Sequence, residues 1–127
     1  MKYGYTKQVD TSFEEAIDRV KATLAKEGFG VLTEIDVQAT LKTKIDVDYE
    51  KYVILGACNP QFAHKALLAE KEIGLLLPCN VIVYQDVEKV FVSAIIPTVA
   101  MSFVDNNEII STANEVEVKL KNAVDAL

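Results

Sequence analysis

The apolar residues of the chain recur with two different spacings, and these spacings predict its secondary structure. Apolar positions every three or four residues are typical of helices and occupy residues 13–27, 37–45, 60–73 and 109–127. Alternating or continuous apolar stretches are typical of strands and occupy residues 2–9, 29–35, 52–57, 79–84 and 90–96. The predicted order of elements is therefore β-α-β-α-β-α-β-β-α.

A mixed order of this kind predicts an α+β fold. We expect a single mixed, mainly antiparallel sheet with helices packed mainly on one face. No internal repeat or linker interrupts the 127 residues, so residues 1–127 are predicted to form one domain.

Local signals place the ends of several elements. Two pairs have the spacing of a capping box, Thr11 with Glu14 and Ser12 with Glu15, and Gly28 stands where a left-handed residue ends a helix. Gly74 is predicted to end the helix over residues 60–73 in the same way. Within the second strand, the period of two predicts that one side carries four side chains: Phe29, Val31, Thr33 and Ile35.

Three of the predicted strands are apolar on both sides, namely those over residues 52–57, 79–84 and 90–96. If helices cover one face of the sheet, the other face still needs a cover from this chain or from a second copy. A symmetric homodimer is the simplest answer.

Charge and composition restrict the partners. The net charge is −6, and the lysines are interspersed with acidic residues rather than gathered in a patch. Nucleic acid and anionic membranes are therefore not expected partners. The chain has no apolar run that approaches a membrane span of about 20 residues, and its first residues do not resemble a signal peptide. We expect a cytoplasmic protein whose two cysteines are free thiols.

Candidate chemistry is concentrated in residues 55–80, which hold both cysteines, the only histidine and two of the three prolines. Cys58 comes just before a predicted helix, where unpaired backbone N–H groups and the helix dipole favour a thiolate. His64 lies in the second turn of that helix and could activate the thiol. The alternative is that Cys58 and Cys79 are buried apolar filler and that His64 faces solvent.

The asparagines of this segment allow similar alternatives. Asn59 is a good N-cap and Pro60 suits the first helical position. Asn80 opens an apolar strand, so it either braces the neighbouring loop or faces a small polar ligand. The helix start would also suit a small anion. If the chain doubles back after this helix, one site is formed by six residues, with Met101 as a weaker candidate: Cys58, Asn59, Pro60, Pro78, Cys79 and Asn80.

Metal, cofactor and common enzyme signatures are weak. Two cysteines and one histidine are the minimum for an open zinc site, but their spacing matches no zinc motif, so neither a metal nor a cofactor is predicted. No nucleotide-binding, hydrolase or metalloprotease motif occurs. Whether the protein is an enzyme stays open.

Two segments carry a resemblance to a known family. They are Gly56-Ala57-Cys58-Asn59-Pro60 and the run from Gly74 to Val81, which reads GLLLPCNV. The chain resembles the uncharacterised "domain of unknown function 302" family over nearly its whole length. The resemblance implies a small α+β domain, similar to a single-copy TATA-box-binding-protein-like fold, that pairs as a homodimer. It implies no established activity.

Three functional hypotheses follow from these observations. The first is a homodimer that binds a small ligand or a protein partner near the two Cys-Asn motifs. The second is a thiol-dependent enzyme or a redox or metal sensor that uses Cys58 with His64. The third is pure assembly, in which the cluster only shapes the sheet of the dimer and both cysteines are fully buried.

Overall fold

Five strands form one sheet in the computed structural model, which describes residues 2–127. The strands are β1 (Gly4–Val9), β2 (Gly30–Asp36), β3 (Tyr52–Cys58), β4 (Cys79–Asp86) and β5 (Lys89–Ile95). Their order across the sheet is β1-β5-β4-β3-β2, and every neighbouring pair is antiparallel. The predicted α+β fold with a mainly antiparallel sheet is thus confirmed.

Five α-helices accompany the sheet: α1 (Phe13–Lys26), α2 (Val37–Ile45), α3 (Pro60–Ala69), α4 (Pro97–Ala100) and α5 (Asn107–Asp125). A 3-10 helix, Lys71–Leu76, follows α3. The predicted order of elements is confirmed, with this 3-10 helix and the single turn of α4 as additions. Within residues 2–127, no helix has both the length and the apolar character needed to cross a bilayer.

The main core lies between the sheet and two long helices, α1 and α5. Inward side chains of the three central strands alternate with outward ones, so each strand contributes every second residue to this core. Val20 and Leu24 of α1 and Leu120 of α5 pack there with almost no exposed surface. We call the side of the sheet that α1 and α5 cover the helix face.

The first helix ends as its sequence predicts, and of the two candidate N-caps, Thr11 and Ser12, the structure uses Ser12. The Ser12 hydroxyl accepts a hydrogen bond from the Glu15 backbone N–H at 3.1 Å, which satisfies one of the unpaired groups of the first turn. Gly28 follows the helix with φ of 87°, in the left-handed region that favours glycine.

The predicted single stripe of the second strand is wrong. A bulge shifts the register of β2 against β3 between Val31 and Thr33. Phe29 and Val31 pack into the main core, whereas Thr33 pairs with Gly56 on the opposite side. One extra residue, Leu32, reverses the side on which every later residue lies.

The predicted helix over residues 60–73 is also shorter than expected. It ends at Ala69 because Glu70 adopts an extended conformation, and Gly74 lies inside the 3-10 helix that follows. The Asn106 side chain donates to the Ala69 carbonyl at 3.2 Å while its oxygen caps α5. A tertiary contact, and not a glycine, therefore marks the end of α3.

The opposite side of the sheet, which we call the second face, carries five half-buried apolar or aromatic residues: Tyr52, Ile54, Ile82, Tyr84 and Phe91. The Tyr52 and Tyr84 rings stack with centroids 5.7 Å apart, and the Tyr84 and Phe91 rings stack at 5.2 Å. This aromatic row crosses three strands, and cross-strand pairs of this kind stabilise a sheet.

Candidate functional site

The two cysteines lie at the same end of neighbouring strands. Cys58 ends β3 and Cys79 begins β4, and Cys79 is directly opposite Ala57 in the antiparallel register. The chain therefore doubles back after α3 and the 3-10 helix, as the proposed site requires. The Leu77–Pro78 peptide bond that leads into β4 is cis.

A cavity of about 350 Å³ opens beside these strand ends on the helix face. The ends of β3 and β4, helices α3 and α5 and the segment around Pro97 form its wall. The side chains from the two helices are Phe62, Ala63, Ala66, Leu67, Ile109, Thr112, Ala113 and Val116. The remaining wall includes Phe29, Leu32, Cys58, Asn59, Leu77, Pro78, Cys79, Pro97 and Met101. Met101, a weaker candidate in the sequence, is thus part of the wall.

The cavity wall is apolar, which corrects the expectation of a site for a polar ligand or an anion. Among the described residues, no charged side chain lines this cavity. Leu32 and Leu67 belong to the wall and are 69% and 42% exposed, so the apolar surface continues from the interior to solvent. A wall of this kind favours an apolar occupant because a charge placed there would lose its hydration without compensation.

The two thiols have different surroundings. Cys58 is half-buried, whereas Cys79 is 8% exposed. Burial raises the pKa of the Cys79 thiol to about 11, and the neighbouring Cys58 contributes to the same direction. Cys79 is therefore a protonated thiol at neutral pH and a poor nucleophile.

His64 does not lie in the cavity wall. It is exposed on α3, the helix whose other side supplies Phe62, Ala63 and Ala66 to the wall. The hypothesis of a thiol activated by His64 gains no support from this placement, since the base would have to reach Cys58 from outside the cavity.

The asparagine and proline candidates are divided between different places. Asn59 lines the cavity, but its amide donates to the Glu27 carbonyl at 3.3 Å and makes no cap bond to α3. Pro60 starts α3 and is exposed. Asn80 is exposed and lines a second cavity, of about 240 Å³, together with Pro78. Of the six residues predicted to form one site, only four line the larger cavity: Cys58, Asn59, Pro78 and Cys79.

The side chains of Thr33 and Pro78 pack closely against the backbone of Gly56. A Cβ added to Gly56 would lie 2.2 Å from Thr33 Oγ1 and 2.8 Å from Pro78 Cγ, far inside van der Waals contact. Glycine at position 56 therefore lets the loop before β4 approach β3 closely.

A carboxylate holds the α4 side of the wall against α5. Glu117 Oε1 accepts hydrogen bonds from the Thr98 backbone N–H at 3.0 Å and from the Thr98 hydroxyl at 2.6 Å. Burial alone would raise the pKa of Glu117, but these bonds and the ion pair with Lys121 outweigh it and lower the pKa. The charged form of Glu117 thus keeps Pro97 and Met101 beside the cavity.

Comparison with known proteins supplies the family. The sequence model described as "Domain of unknown function DUF302" matches residues 5–127. The chain belongs to this family. A solved structure, of an uncharacterized conserved protein DUF302 from Bacillus stearothermophilus, is similar with a TM-score of 0.92 and 31% sequence identity over 98% of each chain. No curated protein matches the chain.

In this member of the DUF302 family, sequence reasoning missed one residue of the wall that carries a polar group. Thr112 of α5 lines the cavity and is 4% exposed. The sequence contains a sign of this placement. Residue 112 lies three residues after Ile109 and four before Val116, so it falls within an otherwise apolar helical stripe. A polar residue at such a position is the informative exception in a core-facing helix.

In the described part of the chain, the two cysteines are not accompanied by further metal-ligating side chains. Within residues 2–127, no group of three or more His, Cys, Asp or Glu side chains is placed to hold a metal ion. The cavity has a mainly apolar wall that is open to solvent at Leu32 and Leu67 and includes Cys58, Cys79 and Asn59.

Proposed function

We propose that the protein is a cytoplasmic homodimer that binds a small, mainly apolar molecule in the cavity beside Cys58 and Cys79. The observation that carries the ligand-binding part is the cavity itself, which has a volume of about 350 Å³. Small-molecule sites are mostly apolar, largely pre-formed clefts of about 300–1,000 Å³. The apolar rim at Leu32 and Leu67 gives a ligand a route from solvent.

A titration with an apolar fluorescent probe tests this proposal. We would use N-phenyl-1-naphthylamine, whose emission rises in apolar surroundings, with two matched variants. Ala63→Phe fills the cavity from α3, whereas Ala22→Phe makes the same chemical change at an exposed position of α1. Saturable enhancement is expected in the wild type and in Ala22→Phe, and its loss in Ala63→Phe.

Two results would count against ligand binding. One is a wild-type protein that gives no saturable enhancement, and the other is a folded Ala63→Phe variant that binds the probe as the wild type does. Circular dichroism and the melting temperature of each variant establish that it is folded. A native mass spectrum of the purified wild type would also report any ligand retained from the cell.

The dimer part of the proposal is supported by the second face. Its aromatic row and its two isoleucines present a continuous apolar surface across the three central strands. Ile35, 48% exposed, and Tyr49, whose ring lies 6.3 Å from that of Tyr52, extend this surface. Contiguous exposed apolar patches mark interfaces, and the second face of another copy would be self-complementary in a two-fold dimer.

Sedimentation equilibrium tests the dimer. Tyr84→Lys places a charge at the centre of the second face, and Val118→Lys places one on the exposed side of α5. We expect the wild type and Val118→Lys to be dimers and Tyr84→Lys to be a folded monomer. A monomeric wild type at micromolar concentration, or a Tyr84→Lys variant that still dimerises, would exclude this interface.

A further inference from the structure

A second cavity, of about 240 Å³, lies at the same end of the sheet, and its wall includes Pro78, Asn80 and Ile95. Asn80 pairs with Gly56 and precedes Val81, which is buried in the main core, so alternation along β4 directs its side chain to the second face. The Pro78 ring lies on that side too, because a Cβ placed on Gly56 would meet it at 2.8 Å. The smaller cavity therefore lies on the second-face side, whereas the larger cavity lies on the helix face.

A thin partition separates the two cavities. Five residues line both of them: Leu77, Pro78, Cys79, Pro97 and Met101. Three of these residues form the segment that leads into β4, and the other two begin and follow the single turn of α4. A residue that lines both spaces has one cavity on each side, so the partition is a single residue thick at these positions.

Met101 is the most adaptable part of this partition. Cys79 is held by its pairing with Ala57 in the sheet, and Pro97 has a rigid, fully buried ring. Met101 instead carries an unbranched side chain with three rotatable bonds, a kind of side chain that adjusts to irregular spaces. A rotation of the Met101 side chain is therefore sufficient to join the two cavities without a change in the sheet.

The two cavities differ in chemistry. The larger one is lined almost entirely by apolar groups, whereas the wall of the smaller one includes Asn80, which is exposed and carries an amide that both donates and accepts hydrogen bonds. Among the described residues, neither wall contains a charged side chain. A molecule that occupies both cavities would therefore place its apolar chain in the larger one and a neutral polar group beside Asn80, since a charged group would find no partner there.

We propose that the two cavities form one binding site for a neutral amphiphile, with its apolar chain in the larger cavity and its hydrogen-bonding head group beside Asn80. The proposal rests on the ligand-binding function proposed above and specifies its chemical class, which includes aliphatic primary amides and alcohols. The proposed dimer interface is centred on Tyr84, four residues along β4 from Asn80 and about 13 Å away. The head-group position thus lies away from the centre of that interface.

Octanamide is the probe that tests this proposal. Isothermal titration calorimetry gives its Kd and stoichiometry, and displacement of N-phenyl-1-naphthylamine reports whether it occupies the larger cavity. Asn80→Ala removes the amide without altering the larger cavity, whose wall does not include Asn80. Asn114→Ala is the matched control, because it makes the same change at an exposed residue of α5. The melting temperature of each variant establishes that it is folded.

We expect one octanamide to bind per chain and to displace the fluorescent probe. Asn80→Ala should weaken octanamide binding about fivefold, because its hydrogen bonds to the head group are lost, and should leave the Kd of N-phenyl-1-naphthylamine within about twofold. Asn114→Ala should change neither Kd, and Ala63→Phe should abolish the binding of both molecules. Hexanamide, which buries two fewer methylene groups, should bind roughly fifteenfold more weakly than octanamide. Octanoate should also bind more weakly at pH 7, since neither wall offers its charge a partner.

The possible failures are distinct. If octanamide displaces the probe but Asn80→Ala leaves its Kd unchanged, the ligand occupies the larger cavity alone, and the joint site is wrong while the ligand-binding function stands. If octanamide binds without displacing the probe, the cavities are separate sites, which also overturns this inference. Equal Kd values for octanoate and octanamide would exclude selection of a neutral head group. If neither octanamide nor the fluorescent probe binds the wild type, the ligand-binding function fails and this inference fails with it.

Discussion

The two faces of the sheet bury their side chains by different means. On the helix face, Leu55, Val83 and Val92 have no exposed surface, because α1 and α5 cover them. On the second face, the alternate residues Ile54, Tyr84 and Phe91 stay half-buried. The same strands thus contribute to a fully buried core on one side and to a partly exposed apolar surface on the other.

The difference shows where each face remains incomplete. The helix face is closed except at one end, where the walls of α3 and α5 leave a cavity beside the two cysteines. The second face carries its aromatic row across the three central strands, and Tyr52, Tyr84 and Phe91 are all half-buried. A recess suits a small ligand and a broad surface suits a second copy, which is why we assign the two proposed roles to the two faces.

The largest expected effect compares two neighbours on β3 that point to opposite faces. Leu55→Ala should lower the free energy of unfolding by about 2–5 kcal/mol, because it leaves a void in a closed core. Ile54→Ala should cost about 1 kcal/mol in a monomer, since its side chain is already partly hydrated. Urea unfolding of both variants in a Tyr84→Lys background measures the difference; equal losses would remove the contrast between the faces.

The next effect concerns Cys79 on the helix face. Its pKa is raised to about 11 by burial. The protonated thiol therefore stabilises the folded protein fully at pH values below the ordinary thiol pKa, and this stabilisation is lost as the pH rises towards 11. The shift corresponds to about 3 kcal/mol at most. Between pH 8 and 10.5, the wild type should lose stability more steeply than Cys79→Ala in urea unfolding.

Alkylation provides the control for this prediction. In the native protein Cys58, which is half-buried, should be labelled before Cys79, and both should react in urea. Rapid native labelling of Cys79 at neutral pH would contradict both its burial and its raised pKa.

A smaller effect is expected at the edge of the helix face, where Glu117 holds Thr98. Glu117→Gln should cost about 1 kcal/mol at pH 7, because charged acceptors make stronger hydrogen bonds than neutral ones. The pKa of Glu117 is lowered, so its contribution is present above pH 4.5 and is lost as pH falls through the folded value. The variant should therefore show a weaker acid dependence than the wild type.

Glu115→Gln is the matched control, since Glu115 is an exposed residue of the same helix. It should change the unfolding free energy by less than about 0.5 kcal/mol. Equal effects of the two variants would show that the Thr98 bonds do not contribute to stability.

The smallest effect tests the second face. Burial is the first cause that raises the pKa of Tyr52, followed by the neighbouring Tyr49, Tyr84 and Tyr3. An ultraviolet absorbance titration that compares the wild type with Tyr52→Phe should therefore show Tyr52 ionising above the ordinary tyrosine range. Its contribution to stability is complete below pH 10 and is lost as pH rises above that value.

The dimer would sharpen this last measurement. If a second copy covers the second face, the pKa of Tyr52 should be higher in the wild type at concentrations where it is a dimer than after dilution to the monomer. A Tyr52 that titrates like a fully exposed tyrosine in the wild type would argue against any cover on this face.

Local signals account for the parts of the fold that the sequence predicts well. Helix α2 spans residues 37–45 as predicted, and the Asp36 side chain caps it through the Ala39 N–H at 2.9 Å. Such a helix needs only its own spacing and a neighbouring cap. The start of α1 at Ser12 has the same origin.

The failures come from contacts between residues far apart in the chain. Nothing in residues 29–35 reveals the bulge, because it depends on how β2 pairs with β3 around Gly56. Nor does the segment after Ala69 reveal that Asn106 ends α3. Asn59 suits a cap by type, yet its amide is drawn to the Glu27 carbonyl, 32 positions away.

By itself, the sequence determined the order of strands and helices, the residues that face a core and the concentration of unusual residues near Cys58 and Cys79. Periodicity and caps act over a few residues, so they can be read from one stretch at a time. Only the tertiary structure decided that β4 returns antiparallel to β3, that the space beside the cysteines is apolar and that the Thr112 hydroxyl is left without a partner. These features depend on which side chains meet when distant segments pack, and no single stretch of sequence contains that information.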